Sequence, residues 1–407
     1  MLQHQADGSA LVRRAPALFF ALMAGVLFLT GLSRPAESQT YNVIHNFTGK
    51  GGDGANPYGG PVLDRSGNLC GTTYVGGKYN DGSVYVLSPA AGSSWKYTSL
   101  YSFNYEFGGF TPGFGTLAIR DGAVYGTTES GGTFGVAFRV GPSAKGIQET
   151  VVHNFGNGTD GAEPTGGVVF DAAGNFYGTT LLGGTLGNGA VFEANPSGAE
   201  RVIYSFMGGS DAVSPAAGVT LDADGNLYGT SSFGGDEGVG AIYKLSHSTS
   251  GWTESVLYSF QGLNDGEYPV AGVILDKAGN MYGGTFSGGA NGGGTVYELS
   301  PSGESWTLTT LYSFTGAFGG PYNKLAFGPG GILYGATNSD GTYGHGSVFK
   351  LTPSDGNWTF TDLYDFQGNL DGGLIYGSVA VDANGNVFGT TDEGGSTNQG
   401  VIFEITP

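Results

Sequence analysis

The chain has 407 residues, with 15 Lys or Arg against 34 Asp or Glu, a net charge of −19. That balance excludes nucleic acid as a partner, because a polyphosphate demands a basic surface. Apolar residues make up 39% of the chain and a single cysteine rules out an intrachain disulfide, so a buried core must hold it together.

Arg13 and Arg14 precede an uncharged stretch over 15–32, which is followed by SRPAESQT. A basic segment, an apolar segment and small residues at Ala36 and Ser38 make a secretory signal cleaved near Ser38/Gln39. An uncleaved anchor is the alternative, since about 18 apolar residues is borderline for spanning a bilayer. No cysteine follows the stretch, which argues against a lipoprotein anchor. The expected organisation is therefore a signal over 1–38 and one domain over 39–407. Cleavage removes Arg13, Arg14, Arg34, Asp7 and Glu37 and leaves 12 basic against 32 acidic residues. A monomer, secreted or held in the cell envelope (the periplasm of a two-membraned cell) without a membrane span, is expected.

From residue 41 onward the chain repeats. HNF at His45, YSF at Tyr101, HNF at His153, YSF at Tyr204, Tyr258 and Tyr312, and YDF at Tyr364 are seven copies of one signature, 51 to 56 residues apart. After each comes a loop, an apolar strand ending in Asp as in GGVVFD, a turn, a strand of the NFYGTT type, a Gly-rich loop and a strand such as GTVYELS. Trp95, Trp252, Trp306 and Trp358 share one slot just before the next signature. In Asp171-Ala-Ala-Gly174-Asn175, Gly supplies the left-handed turn residue and Asp bonds its own backbone. No segment after residue 38 sustains a 3.6-residue apolar period. Four strands of five or six residues per unit, seven times over, predict an all-β, seven-bladed β-propeller with four antiparallel strands per blade. The N-terminal strand 41–47 is expected to join the last C-terminal blade as its outer strand and so close the ring, removing open edges. Cys70 sits in a strand slot where other units carry Tyr or Phe, as a buried thiol would.

These units resemble the Gloeo/Verruco (GloVer) tandem repeats, whose pattern is like the LYSF–GxDGxxPxxGVxLDxxGNLYGTTxxGGxxGxGxVFxL at 204–245 and 258–299. The resemblance covers residues 41–407 and implies a secreted bacterial protein. Such proteins often carry C-terminal sorting tails; this chain stops at Pro407 directly after its last strand, so no C-terminal anchor is expected. The family offers no catalytic residues to carry over.

In a propeller, the loop entering each inner strand and the loop between second and third strands share one face. Those loops hold 15 acids, among them Asp340, against Lys50 and Lys78 only. Clustered carboxylates attract divalent cations, and calcium is the cofactor this face would take, at Asp53, Asp160, Asp211, Asp265 and Asp371. The same D-G-x-x-P pattern is also ordinary turn chemistry. A ligand site is expected where the repeat breaks: Tyr105, Phe107, Phe110 and Phe114 in NYEFGGFTPGF, with Phe318 and Tyr322 in TGAFGGPY joining if the channel brings them close. Tyr343 and His345 occupy another face loop. Exposed aromatics beside Gly suit sugar rings. His45 and His153 stand where Tyr stands elsewhere and read as packing residues. No nucleophile elbow, zincin, Walker or Rossmann motif is correctly placed. The expected function is non-enzymatic binding of a glycan, a cell-envelope component or an extracellular protein. The alternatives are a polysaccharide lyase or hydrolase using face carboxylates with calcium, and a purely structural repeat protein.

Overall fold

A computed structural model describes residues 39–407 except 93, 107, 114, 157, 196–197 and 316–318. The expected signal over 1–38 lies outside the described residues. No helix among the described residues is long and apolar enough to cross a membrane.

Seven antiparallel blades follow one another along the chain, with strands in chain order from the inside outward except for the outer strand of the seventh. The fourth blade is representative: Thr220–Leu221, Leu227–Ser231, Ala241–Ser248 and Gly251–Ser259. In the seventh, Ala380–Val381, Val387–Thr391 and Val401–Thr406 are completed by Thr40–Asn46. Tyr41 lies opposite Ile405 and Val43 opposite Phe403. The second blade has a fifth strand, Gly109–Pro112, paired with the end of Ala123–Gly131.

The turn between first and second strands forms as its residues dictate. In the third blade, Asp171 Oδ1 accepts the amides of Gly174 (2.7 Å) and Asn175 (2.8 Å), and Gly174 takes φ 95. Asp64, Asp222, Asp276 and Asp382 likewise accept the amide of the Asn four residues on in their own blades. The inner strands differ from the expected five or six residues: most are two residues long, as at Val62–Leu63. Residues just before them lean on the neighbouring blade instead of pairing. A Cβ at Gly60 would lie 1.9 Å from Ser378 O, and one at Gly218 2.1 Å from Gly167 O.

What joins the blades is a repeated aromatic contact. The Phe of each signature (Phe47, Phe103, Phe155, Phe206, Phe260, Phe314, Phe366) is fully buried. Each meets the third-strand ring of the following blade edge-on or tilted, for example Phe206 on Tyr243 at 4.9 Å and Phe47 on Tyr85 at 5.5 Å. That third-strand ring in turn covers the glycine directly across from it, Gly229 opposite Tyr243 and Gly71 opposite Tyr85. A Cβ at Gly229 would stand 2.3 Å from the Tyr243 hydroxyl. The YGTT glycine is thus a packing requirement. Threonines add polar links, as where Thr179 Oγ1 donates to Ala217 O (2.9 Å) and Thr390 Oγ1 to Gly59 O (3.2 Å) in the next blade. A buried cluster of Phe47, Tyr85, Leu87, Phe388 and Ile402 joins the last blade to the first. Cys70 is buried with its thiol pushed up to about 12, by burial and then by Asp64, which suits packing and not nucleophilic chemistry.

Candidate functional site at the channel mouth

The two loop classes do share a face, because short bridges pair them within each blade: Gly54–Ala55 with Val75–Gly76, Ala212–Val213 with Phe233–Gly234, and Gly373 with Glu393. A strained residue fixes the loop entering the inner strand in six of the seven blades. Asn56, Thr111, Glu163, Ser214, Tyr268 and Leu374 occupy one repeat position, all with φ between 51 and 57. Each donates its amide to a carbonyl of the preceding blade at 2.8–3.0 Å. A left-handed non-glycine residue costs about 1–3 kcal/mol and persists only where its surroundings hold it; such residues gather at functional sites. Two positions further on, Thr165, Ala216 and Val270, and Tyr322 in the sixth blade, line the channel cavity.

Those positions break the repeat. They carry Thr165, Ala216 and Val270 on one side and Tyr322, Tyr376 and Tyr58 on consecutive blades on the other. The position after the GTT strand adds Tyr74 and Phe286 to the aromatic side, Asp392 beside Tyr376 in the seventh blade, and Glu129 in the second. The rings touch in sequence: Tyr74 to Tyr58 at 4.7 Å, Tyr58 to Tyr376 at 5.2 Å, Tyr376 to Tyr322 at 5.5 Å and Tyr322 to Phe286 at 5.5 Å. This arc of half-buried rings spans four blades. Below it the channel holds a cavity of about 680 Å³, lined by Glu129, Tyr322, Thr165 and the apolar inner strands.

Carboxylates flank the arc. Burial, then Asp392 and other mouth groups including Glu129, push the Tyr58 hydroxyl up to about 12. Glu129 is itself raised by burial and by neighbouring Glu163. Asp392 is raised by burial, and its Oδ1 is buried with no hydrogen-bond partner among the described residues. Asn338, at the equivalent position in the sixth blade, has an orphaned Nδ2. Buried polar atoms without partners call for an explanation, and a polar ligand or ordered water supplies one. Deeper in the wall, Lys324 stands where other units carry Gly, Ser or Thr. Its Nζ reaches two blades away to Val219 O (3.1 Å) and Thr220 Oγ1 (3.0 Å), and burial lowers it to about 8.

The expected metal aspartates are engaged in their own loops. Asp53 accepts from Thr48 N (2.9 Å) and Gly54 N (2.9 Å) and meets His45 Nε2 at 3.2 Å. Burial opposes ionisation of Asp53, but the His45 and Thr48 bonds outweigh it and hold the carboxyl below its usual range. Asp211, Asp265 and Asp371 each accept from the signature tyrosine of their blade at 2.9–3.1 Å and from a loop amide. Turn closure accounts for these contacts. Asp160 differs: His153 Nε2 lies 3.0 Å from its Oδ1 and 3.4 Å from Glu200 Oε2.

Of the expected ligand-binding aromatics, Tyr105 is 64% exposed, with its amide on Asp81 Oδ2 (3.1 Å). Phe110 is half-buried in the extra strand, and Phe107, Phe114 and Phe318 lie outside the described residues. Tyr343 is exposed, and His345 Nδ1 faces Glu393 Oε1 of the next blade at 3.5 Å. The contiguous aromatic surface among the described residues is therefore the channel-mouth arc, of which the sequence reading singled out Tyr322 alone. Its signal is present: three units carry Tyr at one repeat position, Tyr58, Tyr322 and Tyr376.

Outside the channel, a belt of pairs links neighbouring outer strands. The first residue of each signature meets the residue four before the next signature: His45 stacks on Tyr97 (4.0 Å), Tyr312 on Phe360 (3.8 Å) and Tyr364 on Tyr41 (4.0 Å). Where that partner is Glu149, a hydroxyl bond replaces the stack, Tyr101 donating to Glu149 Oε2 at 3.1 Å. Burial, then Asp211, raise Glu254 to about 7 from a usual value near ~4.3. A raised carboxyl favours the protonated folded state, so this contribution is complete below about pH 4 and fades as pH rises through about 7. Glu254→Gln is expected to match the wild-type melting temperature near pH 4 and exceed it increasingly towards pH 8. Thermal melts across that range check this; a constant difference contradicts it.

The sheets and channel define a seven-bladed β-propeller with four-stranded blades and a ligand-sized opening on one face. The chain belongs to the Gloeobacter/Verrucomicrobia repeat family, whose sequence profile matches residues 25–232 and 214–407. None of the curated proteins matches it in sequence. In structure it is similar to a Bacteroides uniformis ATCC 8492 protein provisionally named a 6-phosphogluconolactonase, at 13% identity over 77% of this chain and 85% of that one, TM-score 0.52. A puromycin hydrolase S511A mutant complexed with PGG is similar at 11% identity over 82% of this chain and 50% of that one, TM-score 0.54. An ulvan lyase bound to a GlcA–Rha3S saccharide is similar at 11% identity over 89% and 93%, TM-score 0.47. At such identities the likeness is one of fold.

Proposed function

We propose that this is a secreted, non-enzymatic glycan-binding propeller whose ligand sits in the channel mouth. The observation that carries this reading is the contiguous arc Tyr74–Tyr58–Tyr376–Tyr322–Phe286, with the carboxylates Glu129 and Asp392 beside it. Sugar rings present apolar faces to aromatic rings and hydroxyls to carboxylates, which matches an apolar pocket with a few convergent polar groups. The signal-like sequence over 1–38 supports an extracellular or cell-envelope location. A second reading, a polysaccharide lyase or hydrolase, is favoured by Glu129, held raised beside Glu163 at the same opening as a general acid would be. The purified protein, incubated with soluble and insoluble polysaccharides in calcium and in EDTA, separates the two. Retention without newly released sugar ends is the expected result. Released ends establish the enzyme, and neither outcome with any polysaccharide contradicts glycan recognition.

A further inference from the structure

The outer belt of pairs contains one member unlike the rest. In the first pair a histidine, His45, meets an aromatic ring, Tyr97. In another a tyrosine meets a glutamate, Tyr101 on Glu149, and in two more a tyrosine meets an aromatic ring. Within this belt, only between the second and third blades does a histidine face a glutamate, and there the loop aspartate joins them. His153 Nε2 lies 3.0 Å from Asp160 Oδ1 and 3.4 Å from Glu200 Oε2, and the three candidate ligand atoms all fall within 4.8 Å of one another.

A second observation is independent of that clustering. The Glu200 side chain is only 6% exposed, and its Oε1 is buried without any hydrogen-bond partner among the described residues. Two carboxyl groups have been brought beside one imidazole nitrogen, and no lysine or arginine approaches them in an ion pair among the described residues. A buried carboxylate is tolerated when it is paired or coordinates a metal. In a tetrahedral set with bonds of about 2.05 Å, ligand atoms stand about 3.3 Å apart, close to the two histidine–carboxylate separations here.

We propose that His153, Asp160 and Glu200 bind one divalent first-row transition-metal ion of the zinc class, clamping the outer edges of the second and third blades together. The donor set selects the ion. Calcium seeks six to eight oxygens, whereas an imidazole nitrogen with two carboxylates suits zinc and its neighbours. His153 and Asp160 remain 20% and 29% exposed, which leaves a solvent-facing position for a water ligand. Asp160 Oδ2 is held by the Gly156 amide at 2.5 Å, so the loop fixes this ligand's orientation.

The belt itself supplies the control variant. His153→Tyr recreates the Tyr–Glu pair found at Tyr101 and Glu149, a contact this fold already makes, so it removes the nitrogen ligand while preserving the packing. The metal-stripped protein is titrated with Zn²⁺ and with Ca²⁺ by calorimetry, and melted with each ion. Wild type is expected to bind one tight Zn²⁺ per chain, with a raised melting temperature and no comparable response to Ca²⁺. His153→Tyr is expected to lose that ion and the zinc-dependent shift while keeping a cooperative melt. Glu200→Gln, which retains the shape, is expected to weaken zinc binding at least tenfold. Absence of tight zinc binding by wild type, unchanged binding by His153→Tyr, or an equal response to Ca²⁺ overturns the assignment.

Discussion

Deleting residues 40–47 is expected to abolish cooperative folding of the propeller. The N-terminal strand is the outer member of the seventh blade, hydrogen-bonded along Val401–Thr406, and its loss exposes that strand as an open edge. The deletion also removes Phe47, fully buried between the last blade and the first, and Tyr41, stacked on Tyr364 at 4.0 Å. Losing one buried Phe side chain alone costs about 3–5 kcal/mol, against a total stability of about 5–15 kcal/mol for a typical domain. Near-ultraviolet circular dichroism and thermal melting check the outcome. A variant that melts like wild type contradicts closure through this strand.

The second large effect concerns the contact repeated between blades. Phe206→Ala leaves a cavity against Tyr243 and is expected to destabilise by about 3–5 kcal/mol. Gly229→Ala attacks the same contact from the other side, forcing a methyl group against the Tyr243 ring at a cost of about 1–3 kcal/mol. Because both act on one ring, their effects are expected to be non-additive in a double mutant. Urea denaturation of the two single variants and the double variant measures this. Full additivity would mean that the ring does not couple the two positions.

Much of this architecture is legible in the sequence because each device recurs in most or all of the units. The turn aspartate and its glycine, the buried signature phenylalanine and the YGTT glycine announce themselves by position. The short inner strands are not legible, since the apolar residues that form them look like any strand. Only the close approach of neighbouring backbones at Gly60 and Gly218 shows why pairing stops. The channel-mouth arc was half visible. Tyr58, Tyr322 and Tyr376 occupy equivalent positions, but that they touch follows from blades one, six and seven being neighbours around a closed ring. His153 and Glu200 are 47 residues apart, and their meeting depends on the offset between adjacent outer strands. A histidine read as packing can thus also face two carboxylates.

The channel mouth is tested most directly by measuring binding isotherms on whichever polysaccharide the protein retains, for wild type, Tyr376→Ala and Tyr105→Ala. Tyr376 lies at the centre of the arc, whereas Tyr105 stands exposed on a different loop. The expected result is a loss of about tenfold or more for Tyr376→Ala, equivalent to roughly 1.4 kcal/mol or more, with Tyr105→Ala close to wild type. Wild-type affinity in Tyr376→Ala together with lost binding in Tyr105→Ala would contradict the channel mouth as the binding site and move it to the loop around residue 105.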